Sequence, residues 1–496
     1  MNSQRHQQTL RNAAWVLFHR GVSGCSVLVA HVLFARALQP AEVGLYHLAV
    51  FVGVLAATLA SAGLASAATR FIAAEAGGGG GAAPAIARRV LVAAAAGVVL
   101  VAAAMTAAVS CGPPEWRPAS LGAMVGFLAA HALRLVCGGV AGGYADFKAQ
   151  ARASVAAALI MPAGAAWLLL HGGDASSALW ITAAQAAVTG GLVLVQLRDR
   201  LRGGGSLPPA IPGLLRRYCA AVMTLQLLDA VVWQQSESVF LRALSAPAQL
   251  GFYTVAFTLV AQAMQLVPGS LAVAVFPALA FEAGTGNVGG LAAIVRRTTR
   301  LLALGAVPIA TFGTVFAPEL IGVLYGREFV GGAMALRILW IGAASGTIAA
   351  AAAASLYTLG RVRLLIAIGV PVAAVNIALD LALIPDLGAA GAAVANTITQ
   401  LLGAGAAVYA AHRVLGGGTV PWRRLLRIVA STALAAIAAH WAAAGAAGVN
   451  ALVLGGVTFL AIQLAGLLAL RELRSEDLDG LGGGTGSAGP GAGARR

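Results

Sequence analysis

The chain alternates between apolar runs of about twenty residues and short polar stretches rich in arginine, glycine and proline. The run from Val90 to Val109 contains no charged residue at all. As a helix rising about 1.5 Å per residue, a run of that length spans the roughly 30 Å hydrocarbon core of a bilayer. A transmembrane barrel strand would alternate apolar and polar over about ten residues instead. The pattern therefore predicts an all-α integral membrane protein of about 14 transmembrane helices. They are placed at 13–35, 44–69, 90–111, 119–144, 149–170, 175–197, 216–241, 250–280, 294–316, 333–358, 362–384, 388–411, 425–444 and 450–470. The amino terminus carries no small-residue cleavage site after a short apolar core, so the first of these is expected to be retained.

The connections predict an orientation. Assigned to one side are Arg5, Arg11, Arg70, Arg88, Arg89, Lys148, Arg152, the groups at 198–217, 296–300, 361–363 and 413–427, and the arginines from Arg471 onward. The other side keeps only Arg36, Arg117, Arg242, Arg327 and Arg337, a ratio of about 25 to 5. Basic loops stay cytoplasmic, so both termini are expected inside. The stretch from Arg198 to Arg217 holds three consecutive glycines and three prolines, and reads as the joint between two halves. This divides the chain into 1–213, 214–413, a pair of further spans at 414–471, and a Gly/Ser/Ala/Pro-rich tail at 472–496 that is expected to be disordered.

Across that joint the sequence matches itself. Arg36-Ala37-Leu38-Gln39-Pro40-Ala41-Glu42-Val43-Gly44-Leu45-Tyr46 returns, with one inserted residue, as Arg242-Ala243-Leu244-Ser245-Ala246-Pro247-Ala248-Gln249-Leu250-Gly251-Phe252-Tyr253. Each copy reads as a helix end, a Pro/Gly turn and a tyrosine anchored at the membrane interface. Six spans separate the copies. An even number means that the halves point the same way, related by an axis along the membrane normal, as in alternating-access transporters.

Composition supports the membrane reading: 59% of residues are hydrophobic, 10% are charged, and mean hydropathy is +0.86. A net charge of +15 would suit a nucleic-acid binder, but these charges sit in short clusters between apolar runs. No nucleic-acid partner is expected. The four cysteines lie far apart and define neither a disulfide framework nor a metal site. Gly284 to Gly289 matches G-x-G-x-x-G, yet it follows an apolar helix rather than a strand and has no acidic residue about twenty positions on. No phosphate-binding G-x-x-x-x-G-K-[ST] loop occurs, and the outer connections are too short for a catalytic domain. Neither an enzymatic activity nor a cofactor is expected.

Charged residues inside spans call for an explanation, since each costs about 2.5–3.5 kcal/mol at mid-bilayer. Arg20 lies about two turns from the cytoplasmic end of the first span, where a long side chain can also snorkel to the surface. Arg134, with His131 one turn before it, makes a cationic face deep in the fourth span. Gln226, Asp229, Trp233 and Glu237 follow at helical spacing and form one polar stripe, expected to face a cavity between the halves or to glue helices together. Asn376 and Asp380 share a face, with Asp380 near the outer end, where water can solvate it. Arg20, Arg134, His131, Gln226 and Trp233 are thus candidates for substrate binding; Asp229, Glu237 and Asp380 are candidates for ion coupling. Gly138, Gly139, Gly142 and Gly143 provide close helix contact.

The segments ARALQPAEVGLY, LRALSAPAQLGFYTVAF, Phe276-Pro277, Phe316 to Leu320, Leu324 to Phe329 and NIALDLALIPDLGAAGAA, in this order, resemble the Wzx-type oligosaccharide (O-antigen) flippases of the multidrug/oligosaccharidyl-lipid/polysaccharide exporter superfamily. The resemblance implies a V of two six-helix lobes with two added C-terminal helices, in the bacterial cytoplasmic membrane. It implies movement of a polyprenyl-pyrophosphate-linked oligosaccharide between leaflets, with membrane lipid and the polymerase and glycosyltransferases of the same pathway as partners. It also implies a cavity role for Arg20. Asp380 stands where the resemblance leads one to expect asparagine. A drug or cation antiporter and a peptidoglycan-precursor flippase share the architecture. The paired deep arginines of the first half favour an anionic cargo over a cationic drug.

Overall fold

The computed structural model describes residues 2–77, 81–111, 121–203, 209, 211–233 and 236–472. The middle of the joint and the tail beyond Glu472 lie outside the described residues, as does Arg117. The described chain is helical, with no strand. The first half comprises α1 (Asn2–Ala37), α2 (Pro40–Ser61), α3 (Leu64–Gly77), α4 (Ala83–Cys111), α5 (Leu121–Gly143), α6 (Phe147–Ala157), α7 (Ile160–His171) and α8 (Ala175–Leu201). The second comprises α9 (Ile211–Trp233), α10 (Glu237–Leu244), α11 (Pro247–Met264), a π-helical turn at Gln265–Gly269, α12 (Ser270–Gly284), α13 (Val288–Val315), α14 (Ala317–Leu324), a 3-10 turn at Arg327–Gly332, α15 (Ala333–Thr358) and α16 (Val362–Val414). A final pair, α17 (Trp422–Ala442) and α18 (Gly448–Ala469), packs on α13 and α14.

Among the described residues, ten helical stretches are long and apolar enough to cross a membrane. Within the described residues the expected segments fall on helix, but several are broken. The segment expected at 44–69 turns at Ala62-Gly63, both in the left-handed region at φ 43° and 74°. The one at 149–170 is interrupted between α6 and α7. That at 250–280 contains the π-turn with Pro268, which cannot donate to the helical ladder. The expected pair at 362–384 and 388–411 is one 53-residue run whose direction changes at Gly388, φ 53° and ψ −128°, a conformation favouring glycine. Outward faces are apolar: Val92, Val99 and Leu100 on α4, and Leu434, Ile437 and Trp441 on α17, are all exposed. Lipid-facing surfaces have that composition because nothing there needs water.

Helices α1 to α8 pack on one another, as do α10 to α16, and the two groups form a V-shaped bundle. The halves meet where the two copies of the sequence repeat touch. Pro40 and Pro247 both start helices. A Cβ on Gly44 would lie 2.7 Å from the Gly251 amide nitrogen, and one on Gly251 would lie 2.6 Å from the Pro40 carbonyl carbon. The backbones approach this closely only because both residues are glycine. Beside them, Arg36 of α1 donates to the carbonyls of Leu324, at 2.8 Å, and Val323 at the end of α14.

The repeat extends to its capping contacts. In the first copy the Glu42 carboxylate accepts from the Ala175 amide at 2.9 Å, at the start of α8. In the second, Gln249 at the matching motif position accepts from the Ala389 amide at 3.0 Å, where α16 resumes after its turn. A side-chain oxygen at the same place in each half thus satisfies an orphan helix N–H. The tyrosines of the motif depart from expectation. Tyr46 and Tyr253 are buried in their lobes rather than anchored at the interface; Tyr46 bonds Thr182 at 2.9 Å. Lying seven residues beyond Gln39 and Ala246 respectively, well inside α2 and α11, their side chains meet helix neighbours before they can reach headgroups.

The glycines of α5 do bring helices together. A Cβ on Gly139 would sit 2.7 Å from the Ala65 carbonyl carbon, and one on Gly143 2.7 Å from the Ile72 Cβ, both on α3. Gly139→Val is expected to destabilise the folded protein by about 1–3 kcal/mol through overpacking, read as a lowered thermal midpoint in detergent. The joint helix α9 also touches both groups: Tyr218 packs edge-on against Phe71 of α3 at 5.8 Å, and α9 contacts α16 as well. The G-x-G-x-x-G stretch is a helix-to-helix turn. Gly286 takes φ 72°, and Asn287 caps α13 by accepting from the Gly290 amide at 3.0 Å.

Candidate functional site

The polar stripe expected over Gln226, Asp229, Trp233 and Glu237 passes through residues 234–235, which lie outside the described residues. Glu237 faces the second lobe, against α16. There its Oε1 accepts from Asn396 Nδ2 at 2.9 Å and from Asn376 Nδ2 at 3.3 Å. The Asn376 amide also lies 3.3 Å from Thr399 Oγ1, and Gln400 donates to Asn396 Oδ1 at 2.7 Å.

Asp380, one turn beyond Asn376 on the same face, joins this pocket. It is 0% exposed, as is Glu237, so the expectation that water solvates it does not hold. The helix direction explains the difference: the turn at Gly388 folds the rest of α16 back over Asp380 and brings Asn396 and Thr399 beside it. Both Asp380 oxygens, Glu237 Oε2 and Asn376 Oδ1 lack a hydrogen-bond partner. The Tyr253 hydroxyl lies beside Glu237 without meeting hydrogen-bond geometry. Among the described residues no basic side chain pairs with either carboxylate.

Two carboxylates and several orphan acceptor oxygens, enclosed in a membrane-buried lobe, have one chemical use in common. They can accept a proton or an oxygen-seeking cation, either of which offsets the cost of the uncompensated charge. Sequence inspection singled out Glu237, Asp380 and Asn376 but passed over Tyr253, Asn396, Thr399 and Gln400. The last three were legible as intramembrane polar residues at spacings of three and four; their convergence on Glu237 was not.

The first lobe carries the cationic face. Arg134 Nη2 lies 3.3 Å from His131 Nε2, and the His131 ring packs 5.3 Å from Phe127. On the same side of α5, Phe127 fills the space above Gly53 of α2, and the Gly138 carbonyl accepts from Gln150 of α6. The Arg134 backbone packs against Gly190 of α8, where an added Cβ would lie 2.9 Å from the Arg134 nitrogen, while the Arg134 side chain stays accessible. Gln226 is half-buried on α9, its Oε1 without a hydrogen-bond partner. The side chains of Arg20, Asp229 and Trp233 lie outside those described, although their helices α1 and α9 are present. His31, on α1, stacks edge-on with His47 at 4.8 Å and lies 6.1 Å from the Tyr46 ring. In the repeat register His31 occupies the position that Glu237 holds in the second lobe, five residues before the motif arginine in each.

Comparison with known proteins follows this geometry. A family model described as polysaccharide biosynthesis protein matches residues 9–281, and one described as the lipid II flippase MurJ matches residues 243–465. No curated protein sequence matches the chain. Among solved structures, the fold is similar to that of the lipid II flippase MurJ in an inward closed conformation. That match has a TM-score of 0.72 at 12% identity and covers 93% of this chain and 100% of the other. It is also similar to an inward-facing multidrug resistance MATE family transporter, with a TM-score of 0.62 at 16% identity over 79% of this chain and 94% of that one. A third similar structure is a superfamily transporter from Pyrococcus furiosus, with a TM-score of 0.57 at 15% identity over 83% and 96%. Such identities speak to the fold alone. Because the first family model accounts for just over half of the sequence, and both lobes have the architecture of these exporters, the chain belongs to the polysaccharide biosynthesis protein family within the multidrug/oligosaccharidyl-lipid/polysaccharide exporter superfamily.

Proposed function

We propose that the protein is a flippase that moves a polyprenyl-pyrophosphate-linked oligosaccharide across the cytoplasmic membrane by alternating access, with both termini and the arginine-rich end inside. The observation that carries this reading is the deep arginine Arg134, beside the His131 ring, in the lobe matched by the polysaccharide family. A pyrophosphate has no partner in hydrocarbon. An arginine on the inner side of a lobe offers it charge-assisted hydrogen bonds, while the polyprenyl tail stays in the bilayer. Residues 1–213 and 214–413 act as the two moving lobes, and the contact between the glycine motifs is the closed outer end.

The pocket around Glu237 and Asp380 is the coupling site, where a proton or a monovalent cation binds in one state of the cycle and leaves in another. Its orphan oxygens support this role, and its place inside the second lobe keeps it apart from the cargo. The second family match, over residues 243–465, favours one alternative cargo: a lipid-linked peptidoglycan precursor.

The test is flipping of fluorescent polyprenyl-pyrophosphate oligosaccharide in proteoliposomes, scored by quenching from outside, with a lipid-linked muramyl-peptide as competitor. Quenching of the oligosaccharide substrate beyond the outer-leaflet fraction quenched in protein-free vesicles, unaffected by the competitor, is the expected result. Preferential movement of the muramyl-peptide would transfer the assignment to the alternative. Arg134→Gln is expected to slow flipping about 10- to 100-fold, the worth of one charge-assisted hydrogen bond, without lowering the thermal midpoint.

A further inference from the structure

We infer that a trough between α4 and α9 binds an anionic phospholipid, its headgroup phosphate on Arg89 and Arg216 and one acyl chain along the trough. The trough is a cavity of about 750 Å³, within the roughly 300–1,000 Å³ usual for small-ligand sites. Its floor is the turn from α2 to α3, at Ala60, Ala62 and Leu64. Glycines seat both walls on that turn. A Cβ on Gly97 of α4 would meet the Ala60 carbonyl, and one on Gly63 would lie 2.9 Å from the Cys219 carbonyl oxygen of α9.

One end of the trough is cationic. Helix α4 begins at Ala83 and α9 at Ile211, so Arg89 and Arg216 each stand about one and a half turns in. Both are exposed, and no other charged residue lines the cavity. Among the described residues neither is in an ion pair. Their neighbour Arg88 differs, since its guanidinium is committed to the carbonyls of Leu201 and Gly203, at 2.6 and 2.9 Å. Two unpaired guanidinium groups on the walls of one cavity call for an anion, and a phosphate offers paired oxygens to such forks.

The apolar remainder says which phosphate. Arg89 immediately precedes the uncharged run from Val90 to Val109, which places it at the headgroup boundary. From there the α4 wall continues through Ala93 and Gly97 to Val101, about 18 Å of helix. One leaflet of a roughly 30 Å hydrocarbon core is about 15 Å deep. The trough therefore matches a single acyl chain hanging from a phosphate at its rim, whereas free phosphate would leave the apolar length unused. Leu100 lines it and is 71% exposed, so the trough opens sideways to lipid. Basic side chains at this depth attract anionic headgroups. No lining residue lies on α5, the helix of Arg134, which separates this site from the proposed cargo face.

The experiment uses the full chain in detergent, with native mass spectrometry after titration with dioleoylphosphatidylglycerol, dioleoylphosphatidylcholine, polyprenyl phosphate or inorganic phosphate. The wild-type protein retains phosphatidylglycerol in preference to phosphatidylcholine. Arg89→Gln with Arg216→Gln binds it roughly 30-fold more weakly, at about a factor of five per arginine beside a charged leaflet, and retains polyprenyl phosphate as wild type does. Arg361→Gln with Arg363→Gln, removing two exposed arginines of another turn, leaves phosphatidylglycerol binding unchanged. Should the first double variant not elute as a single species, Ala220→Trp serves instead: it keeps both arginines and fills the trough from an exposed position, with the same loss expected. Equal weakening by the two double variants, or no preference for phosphatidylglycerol, overturns the assignment. So does an equal loss of polyprenyl phosphate, which would give the trough to the cargo, or retention of inorganic phosphate in place of lipid.

Discussion

Gly251→Ala is expected to abolish most transport while leaving each lobe folded. The added methyl would overlap the Pro40 carbonyl, which belongs to the other half of the molecule. Overpacking of this kind costs about 1–3 kcal/mol, and here it falls only on the state in which the halves touch. The closed end would be depopulated roughly 5- to 150-fold, and a cycle that must pass through it slows accordingly. Spin labels at Gln39 and Ala246, both exposed beside the contact, report the separation directly. The expected result is a longer label distance, a fall in flipping rate and an unchanged thermal midpoint. Gly44→Ala, whose methyl would lie 2.7 Å from the Gly251 nitrogen, should act in the same direction. Normal flipping by Gly251→Ala would refute the view that this contact forms during the cycle.

The second large effect runs against the habit of expecting polar-to-neutral changes in a core to destabilise. Asp380→Asn should raise the thermal midpoint in cation-free buffer, because it removes one of two unpaired carboxylates enclosed in the same pocket. Like charges in low dielectric repel, and each lacks the partner that would compensate its burial. The same substitution should eliminate stimulation of flipping by an imposed sodium or proton gradient. Glu237→Gln should be less stabilising, since Glu237 Oε1 already accepts from Asn376 and Asn396. Its loss of coupling should be equal. Melting curves with and without sodium, and flipping under separate sodium and pH gradients, read both arms. A midpoint that falls in Asp380→Asn, with gradient stimulation intact, would remove the pocket from the mechanism.

The membrane pattern was legible because bilayer thickness sets run length directly, so apolar stretches such as Val90 to Val109 can be counted without knowing their neighbours. The repeat was legible for a similar reason: Pro at a helix start and Gly at a backbone contact are local demands. What escaped was decided by tertiary packing. Periodicity placed Glu237 on a stripe with Gln226, but no local pattern shows that its carboxylate meets Asn376 and Asn396 of the second lobe. Asp380 was read as solvated because its place along the sequence was taken as its depth. The reversal at Gly388 encloses it. Tyr46 and Tyr253 fit the pattern of interface aromatics, yet whether such a ring meets lipid or a neighbouring helix is a tertiary matter.

Glu42 and Gln249 hold their lobes in shape through backbone amides, and an amide nitrogen is indifferent to the side chains around it. A framework fixed in this way tolerates divergence at the positions it surrounds. In the repeat register one copy carries an imidazole at residue 31 and the other a carboxylate at residue 237. Duplication followed by such separate tailoring gives a single polypeptide two differently charged interiors built to one plan, so that changing what one wing holds need not disturb the other.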